Sequence, residues 1–518
     1  MKIAMTGTSG NMGREVLAQV MELKEVRLVR VLLTNKKKND KLAKKYEKLY
    51  GERIEIVRGT VASPENCKKL VRGMDYVIHM AAVIPPRSDA SFAESYECNY
   101  QGAVALVNAV KAEDPQPSYI HISTMALYGN RNEKHLWGRV GDPLLVSPFD
   151  AYAMHKLAGE RYALEADLDR WVVIRQTAML HPNMMNDNIS DGLMFHTCLN
   201  APLEWVSSRD SGYLLKRIVE RDGREEVPTF WNNVYNLAAG KKGMGTGYDT
   251  FKDGFSIIGG SAEKFLSPDW LATRNFHGMW FLDGDELERY FHYQRDGVTE
   301  FWKEIGKQHK LYALAKIVPA KLINLFLFKR LLNHPNSPRR WVKDGDRAKV
   351  QAYFGGDEEV KKLPKKWSEV KLIAKGDFGD YDALRDAEKA KRDKKYLSHG
   401  YDESKPMSEL TIADMREAAL FRGGKCLASS MPKGAIYNKI KWQCHDGHVF
   451  ESSPMTVLRA GHWCPECGQP TPWDFDRLAK NNPFYAQVWY DSHAKDEDMR
   501  YDLNADGAAV MTKLEETK

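Results

Sequence analysis

Residues 2 to 13 constrain this chain more than any other stretch. A short apolar run, Lys2 to Met5, leads directly into Thr6-Gly7-Thr8-Ser9-Gly10-Asn11-Met12-Gly13, and a helical pattern follows from Met12 to Leu23. Glycines at 7, 10 and 13 permit a tight turn, close approach of backbone to a pyrophosphate, and close packing of a helix on a strand. The free amides at the helix start then face phosphate. Further short strand-like runs alternate with helical patterns: Leu28 to Leu33, Asp75 to Met80, Ala103 to Lys111 and Tyr119 to Ile122, then Trp171 to Ile174 and Asn233 to Leu237. Such alternation predicts βαβ units and a parallel, doubly wound α/β sheet. The second run ends in Thr34-Asn35-Lys36-Lys37-Lys38, with no Asp or Glu to take adenosine ribose hydroxyls. Hydroxyl and ammonium donors at Thr34 and Lys36 suit the 2′-phosphate of NADP, although a solvated lysine run reads the same way.

Tyr152 and Lys156 are four residues apart, so a helix puts phenol and ammonium on one face. A phenol with a pKa near 10 is a poor base, and a nearby cation stabilises its phenolate. Upstream, Ser123-Thr124-Met125-Ala126-Leu127-Tyr128-Gly129 follows the strand Tyr119 to Ile122. With the glycine loop, Asp75 to Ala82 and Asn99 to Ala103, these segments come in the order of the extended short-chain dehydrogenase/reductase (NAD-dependent epimerase/dehydratase-like) family, which residues 1 to 300 resemble. The resemblance implies a Rossmann domain in which Thr124 (or Ser123) holds the reacting substrate oxygen, Tyr152 exchanges the proton, and Lys156 also binds the nicotinamide ribose. It implies cofactor contacts at Gly7, Ser9, Gly10, Asn11, Met12, Gly13, Thr34, Lys36, Thr60, Val61, Ala81, Ala82, Asn99, Tyr152 and Lys156, with NADP (or NAD) as cofactor. Two departures stand out: Thr60 follows Gly59 where the family often has Asp, and Gln176 replaces the proline after Arg175.

The activity so implied is an oxidoreductase interconverting a secondary alcohol and a ketone. A sugar-nucleotide epimerase or dehydratase on tightly held NAD is the alternative, and a non-catalytic dinucleotide sensor a further one. Met184, Met185, Met194, Phe195, Trp205, Phe230 and Trp231 could line a lipophilic pocket, but such residues more often fill a core.

At 518 residues the chain exceeds one core. The expected parts are residues 1–300, a helical, Lys-rich extension or linker over 301–405 with breaks at Pro364 and Gly376, and a small module with its tail over 406–518. In that module Cys444-His445-Asp446-Gly447-His448 and Cys464-Pro465-Glu466-Cys467 form two metal-knuckle turns. Cys444, His448, Cys464 and Cys467 make a structural zinc set, with Cys426 as the alternative to His448. The segment resembles zinc-ribbon modules, with Trp442, Phe450 and Trp463 as its apolar core. So few apolar residues predict that metal binding is its folding energy and that chelation unfolds the tail alone. Strands are expected at Lys439 to Cys444 and Val449 to Ser452.

A net charge of +6 from 76 basic and 70 acidic residues is too small by itself to signal nucleic acid or an anionic membrane. The basic residues around the knuckles leave a protein partner or a structural role preferred. The apolar stretch Leu311 to Leu332 is broken by Lys316, Pro319, Lys321, Lys329 and Arg330, which argues against a transmembrane helix. Scattered cysteines and a start without a signal pattern predict a cytoplasmic protein. A small-molecule substrate and a homodimer complete the expectations.

Overall fold

The computed structural model describes residues 1–184, 191–309, 317–373, 396–468, 471–505 and 507–513. Met185 and Gly376 lie outside the described residues. The centre is a parallel sheet of seven strands: β1 (Lys2–Met5), β2 (Leu28–Leu33), β3 (Ile54–Arg58), β4 (Tyr76–His79), β5 (Ser118–Thr124), β6 (Trp171–Gln176) and β7 (Asn233–Leu237), in the order β3-β2-β1-β4-β5-β6-β7. The chain winds outward on both sides of β1 and β4, the Rossmann arrangement that opens a crevice at the carboxyl ends of these strands. β4 and β5 are buried along their whole length, as expected of parallel strands covered on both faces.

Four helices fix the site: α1 (Asn11–Val20), α2 (Gly102–Lys111), α3 (Ala151–Leu164) and α4 (Ser208–Asp222). α1 buries Gly13, Val16, Leu17 and Val20, an i, i+3, i+4, i+7 stripe, in one cluster with Leu214, Leu215 and Ile218 of α4. α3 differs, being buried on nearly every side, including His155, Lys156, Glu160 and Arg161. A Cβ at Gly159 would lie 2.8 Å from the Asn99 carbonyl, so a glycine is needed where α3 meets the segment leading into α2.

The other side of α3 is covered by the C-terminal part of the chain, which corrects the expectation of a separately packed module. Strands Lys425–Cys426, Ile440–Gln443 and Val449–Ser452 form an antiparallel sheet with Trp442 opposite Phe450, so both predicted strands are found. Trp442, Val457, Leu458 and Trp463 belong to the same hydrophobic cluster as Leu127, Tyr128 and Leu157. Polar contacts cross the same boundary: Arg161 donates to the Trp463 carbonyl, Arg175 to the Ala460 carbonyl at 2.6 Å, and Ser452 to Glu165 at 2.7 Å. A piece this small buries its aromatic rings by sharing a core with α3.

The stretch after residue 300 is likewise no bare linker. The helix Val298–Gln308 buries Phe301, Trp302 and Ile305. A helical run from Ala320 to Leu332 seats Phe328 and Leu331 against Phe255 and Phe265.

Candidate active site and metal cluster

At the amino end of α1 the backbone is folded for close approach. Gly7 has φ +77°, a Cβ on it would lie 2.6–2.7 Å from Met80 and Ala81 backbone, and a Cβ on Gly13 would lie 2.3 Å from the Gly7 carbonyl. Gly10, by contrast, has only the Gly7 carbonyl near its Cβ position, at 3.4 Å, and no side chain caps α1. No acidic residue lies in the first turn, so the helix start presents its amides and its positive pole to the crevice. Thr6 Oγ1 accepts from the amides of Met80 and Ala81 at 3.0 and 3.1 Å, tying the segment of Ala81 and Ala82 to the glycine loop. Ser9 and Met12 are half-buried beside it, and Asn11 Nδ2 lies 2.9 Å from His181 Nδ1. At the end of β2, Thr34 and Lys36 are exposed, with Thr34 Oγ1 accepting from Asn39 Nδ2 at 2.7 Å.

Two of the residues expected at the cofactor have their side chains engaged within the protein. The Asn99 side chain is buried, bonding both the amide and the carbonyl of Val83 at 2.8 and 2.9 Å and Ser95 at 3.1 Å, so it clamps the loop after β4 from behind. Val61 is buried and packs where a Cβ on Gly102 would lie 2.5 Å away, so its side chain belongs to the core, while Thr60 beside it is exposed.

The three expected catalytic residues come together. Thr124 ends β5, and its Oγ1 accepts from the Ala126 amide at 3.2 Å, starting the turn that follows. Asp150 caps α3 through the Ala153 amide at 2.9 Å, which places Tyr152 in the first turn and Lys156 one turn on. The Tyr152 phenol lies beside the Thr124 side chain. Burial pushes the phenol up to about 12, Thr124 pulls it down, and Asp150 raises it. Burial takes the Lys156 ammonium down to about 8, opposed by Glu160 and Cys98. Its Nζ donates to the Ile122 carbonyl at 2.6 Å. With its phenol held at about 12, Tyr152 carries its proton at neutral pH.

Behind this trio lies a buried charge cluster that sequence reasoning missed. Glu160 accepts from Arg175 at 2.5 and 3.2 Å and from Ser123, and lies 3.0 Å from His462 Nε2. Arg175 also donates to the Tyr128 hydroxyl at 2.7 Å. Burial works to raise the Glu160 carboxyl, but Arg175 and His462 hold it well below the usual carboxylate range. One signal was available: an arginine inside the otherwise apolar strand Trp171–Gln176 requires a buried partner.

A cavity of about 780 Å³ reaches Thr124 and its register partner Gln176. Its walls are mostly apolar, including Met184, Met194, Trp205, Phe251, Phe255 and Trp302, and the only ionisable residues among its described lining are His277 and Arg330. His277 Nδ1 lies 3.2 Å from Asp150, the cap of α3. Of the residues proposed for a lipophilic pocket, Met184, Met194 and Trp205 line this cavity. Phe195 is buried in the cluster beside it, and Phe230 and Trp231 are core residues packed with Tyr235 and Phe291.

In the C-terminal part, the ligand atoms of Cys444, His448, Cys464 and Cys467 all lie within 4.8 Å of one another. His448 Nδ1 is 3.4, 3.7 and 3.3 Å from the three sulfurs, and Cys444 Sγ is 3.7 Å from Cys467 Sγ. Zinc bonds of about 2.3 Å to sulfur and about 2.0 Å to nitrogen give tetrahedral edges of about 3.8 and 3.5 Å, so the donor set fits that ion. Cys426 is outside the cluster, paired in the sheet opposite Trp442. Basic residues nearby are used internally: Arg422 is buried over the Phe484 ring, Arg459 bonds Glu286 at 2.8 Å, and Lys439 bonds the Glu165 carbonyl at 2.8 Å.

Residues 3–185 match the model of the NAD dependent epimerase/dehydratase family. Among solved structures, the chain is similar to a dTDP-glucose 4,6-dehydratase from Bacillus anthracis in complex with NAD (15% identity, 61% of this chain and 98% of that one, TM-score 0.47). It is also similar to a UDP-glucuronic acid 4-epimerase from Bacillus cereus in complex with UDP-glucuronic acid and NAD (19% identity, 60% and 99%, TM-score 0.46). A third is a short-chain dehydrogenase/reductase superfamily protein from Agrobacterium tumefaciens with bound NAD (16% identity, 61% and 99%, TM-score 0.44). No helix among the described residues is long and apolar enough to cross a membrane.

Proposed function

We propose, from the match of residues 3–185 to the NAD dependent epimerase/dehydratase family model and from the site, that this chain is a nicotinamide-dependent enzyme that interconverts a secondary alcohol and a ketone on a lipophilic substrate. The observation that carries the reading is the placing of Tyr152 beside Thr124 where an apolar cavity of about 780 Å³, lined by Thr124, meets the carboxyl ends of the sheet. The dinucleotide supplies or accepts hydride at its nicotinamide ring. In the reducing direction the Thr124 hydroxyl donates to the substrate carbonyl oxygen, and Tyr152 Oη delivers the proton to that oxygen. A phenol held near 12 is loaded for this step. Lys156, one turn along α3, is placed to take a ribose hydroxyl in exchange for the Ile122 carbonyl. Gly7, Gly10 and Gly13 with the start of α1 hold the pyrophosphate, and Thr34 and Lys36 favour NADP through its 2′-phosphate.

A second reading, a sugar-nucleotide epimerase or dehydratase, is favoured by the family description itself. Against it, a nucleotide diphosphate needs cationic partners, and Arg330 is the one arginine or lysine among the described residues lining the cavity. Zinc at Cys444, His448, Cys464 and Cys467 is proposed as structural, because four protein ligands leave no position for a substrate.

A single panel separates these readings: apolar secondary alcohols and ketones, and sugar nucleotides, each with NADPH and NADH, followed by nicotinamide absorbance and product analysis. The expected result is stoichiometric cofactor turnover on apolar substrates, faster with NADPH. Tyr152→Phe should lose at least about 100-fold in kcat while binding cofactor normally. Conversion of sugar nucleotides with no net cofactor change would establish the second reading, and a fully active Tyr152→Phe would overturn both.

A further inference from the structure

Five of the fourteen exposed large apolar side chains among the described residues lie close together in sequence. Ile317, Val318, Leu322, Leu325 and Phe326 fall within ten consecutive residues, with Ile317 82% and Phe326 73% exposed. They sit on and just before the helical run Ala320–Leu332, whose opposite side, Phe328 and Leu331, is buried against Phe255 and Phe265. Leu322, Leu325, Phe326 and Lys329 are all exposed on this run, with Ile317 and Val318 exposed just before it, so its outward side is largely apolar with a lysine near its end. Scattered exposed leucines need no explanation, but a cluster of this kind marks a binding surface.

Two features identify what covers it. From residue 317 to residue 343 the chain has no Asp or Glu but contains Lys321, Lys329, Arg330, Arg339, Arg340 and Lys343. Among the described residues, no ion pair involves Lys321, Lys329 or Arg330. An apolar face edged by such cations suits the headgroup boundary of an anionic lipid layer, where apolar side chains enter the acyl region and ammonium groups stay among the phosphates. The face is also continuous with the cavity: Val318, Leu322, Phe326 and Arg330 line the same space that reaches Thr124. Nothing about this run requires it to span a bilayer, and its length of 13 residues from Ala320 to Leu332 is too short to do so.

We propose that the Ile317–Leu332 face docks onto the surface of an anionic lipid bilayer and that the cavity takes its apolar substrate directly from that layer. The second half of this statement rests on the proposed function, whereas the docking does not. The protein lies on the membrane through one helix face, with the cavity mouth turned to the acyl chains and Lys321, Lys329 and Arg330 at the phosphates.

The test is flotation of the full chain with vesicles of phosphatidylcholine containing 30 mol% phosphatidylserine, compared with phosphatidylcholine alone and with high salt. The wild type should float with the anionic vesicles, and partitioning should fall about tenfold without phosphatidylserine or in high salt. Ile317→Glu/Leu325→Glu, which alters neither the catalytic trio nor the cavity lining, should stay in the soluble fraction. It should keep its turnover of a water-soluble secondary alcohol and lose the advantage on a substrate presented in vesicles. Absence of flotation, or flotation undiminished in the double variant, overturns the docking. So does a wild type that fails to float but is a dimer in solution, with the double variant a monomer, since the face then belongs to a second copy. If the wild type floats but turns over no apolar alcohol in either form, the docking stands and the proposed function fails.

Discussion

Glu160→Gln is the substitution through which the architecture is most sharply tested. Glu160 and Arg175 are both fully buried, and the carboxylate faces the guanidinium at 2.5 Å while also bonding Ser123 and His462. An exposed pair contributes about 0–1 kcal/mol, because water screens both charges. Removing one member of a buried pair leaves the other charge unpaired in a medium that solvates it poorly, and costs about 3–5 kcal/mol. At about 2–4 °C of Tm per kcal/mol for larger domains, the expected drop is of order 10 °C. A second consequence follows from charge alone. Burial lowers Lys156 and Glu160 partly offsets it, leaving the ammonium at about 8. Losing the carboxylate therefore lowers Lys156 further, and the alkaline limb of the rate profile should move to lower pH. Thermal melting and kcat between pH 6 and 9 measure both. A Tm within 2 °C of wild type, or an unmoved alkaline limb, would refute the reasoning, the first by denying the buried charge cluster and the second by denying its link to Lys156.

Lys156→Met should be inactive yet more stable than wild type at neutral pH, because burial holds the ammonium at about 8, below the usual lysine value of 10.5. Between those two values the unfolded chain keeps a proton that the folded chain has released, so wild-type stability rises with pH there. The Tm advantage of the variant should thus shrink as pH rises from 8 towards 10.5, and an advantage that grows instead would contradict the burial of Lys156. Elemental analysis should find one zinc per chain. Cys464→Ser should lower both Tm and turnover, since His462 and the Ala460 carbonyl hold Glu160 and Arg175; unchanged turnover after loss of zinc would restore the picture of an independent tail.

Legibility in the sequence followed the range over which each feature acts. The glycine loop, the strand runs of the sheet and the Tyr152/Lys156 pair depend on neighbours within about one turn or one strand, and all were readable from local spacing. The donor set of the metal cluster was readable for the same reason, since each knuckle is a short turn; only the choice between His448 and Cys426 needed the fold. The cavity was not readable. It is assembled from Met184, Trp205, Phe251, Trp302 and Leu322, which no spacing relates. Met and Trp look alike in a core and in a pocket wall, so Met194 and Trp205, which line the cavity, could not be told from Phe230 and Trp231, which do not. For Asn99 and Val61 the sequence did not show where the side chains point: hydrogen bonds to Val83 and packing against Gly102 engage them within the protein.

The role of the C-terminal part was hidden by a rule that usually serves well, that charged residues on a helix mark its solvated face. On α3 the rule inverts. Glu160 and Arg161 are charged because they address another part of the same chain, 302 residues further on, through His462 and the Trp463 carbonyl. A dinucleotide domain cut off near residue 300 would leave the Arg175–Glu160 pair without two of its hydrogen-bond partners, and would strip Leu127, Tyr128 and Leu157 of Trp442, Val457, Leu458 and Trp463. The segment carrying the Cys/His cluster is therefore part of what shapes the floor of the proposed catalytic site. Any ion that holds its two knuckles together also holds the Ala460–Trp463 loop against α3, so metal content and the pH behaviour of Lys156 should vary together across variants of either.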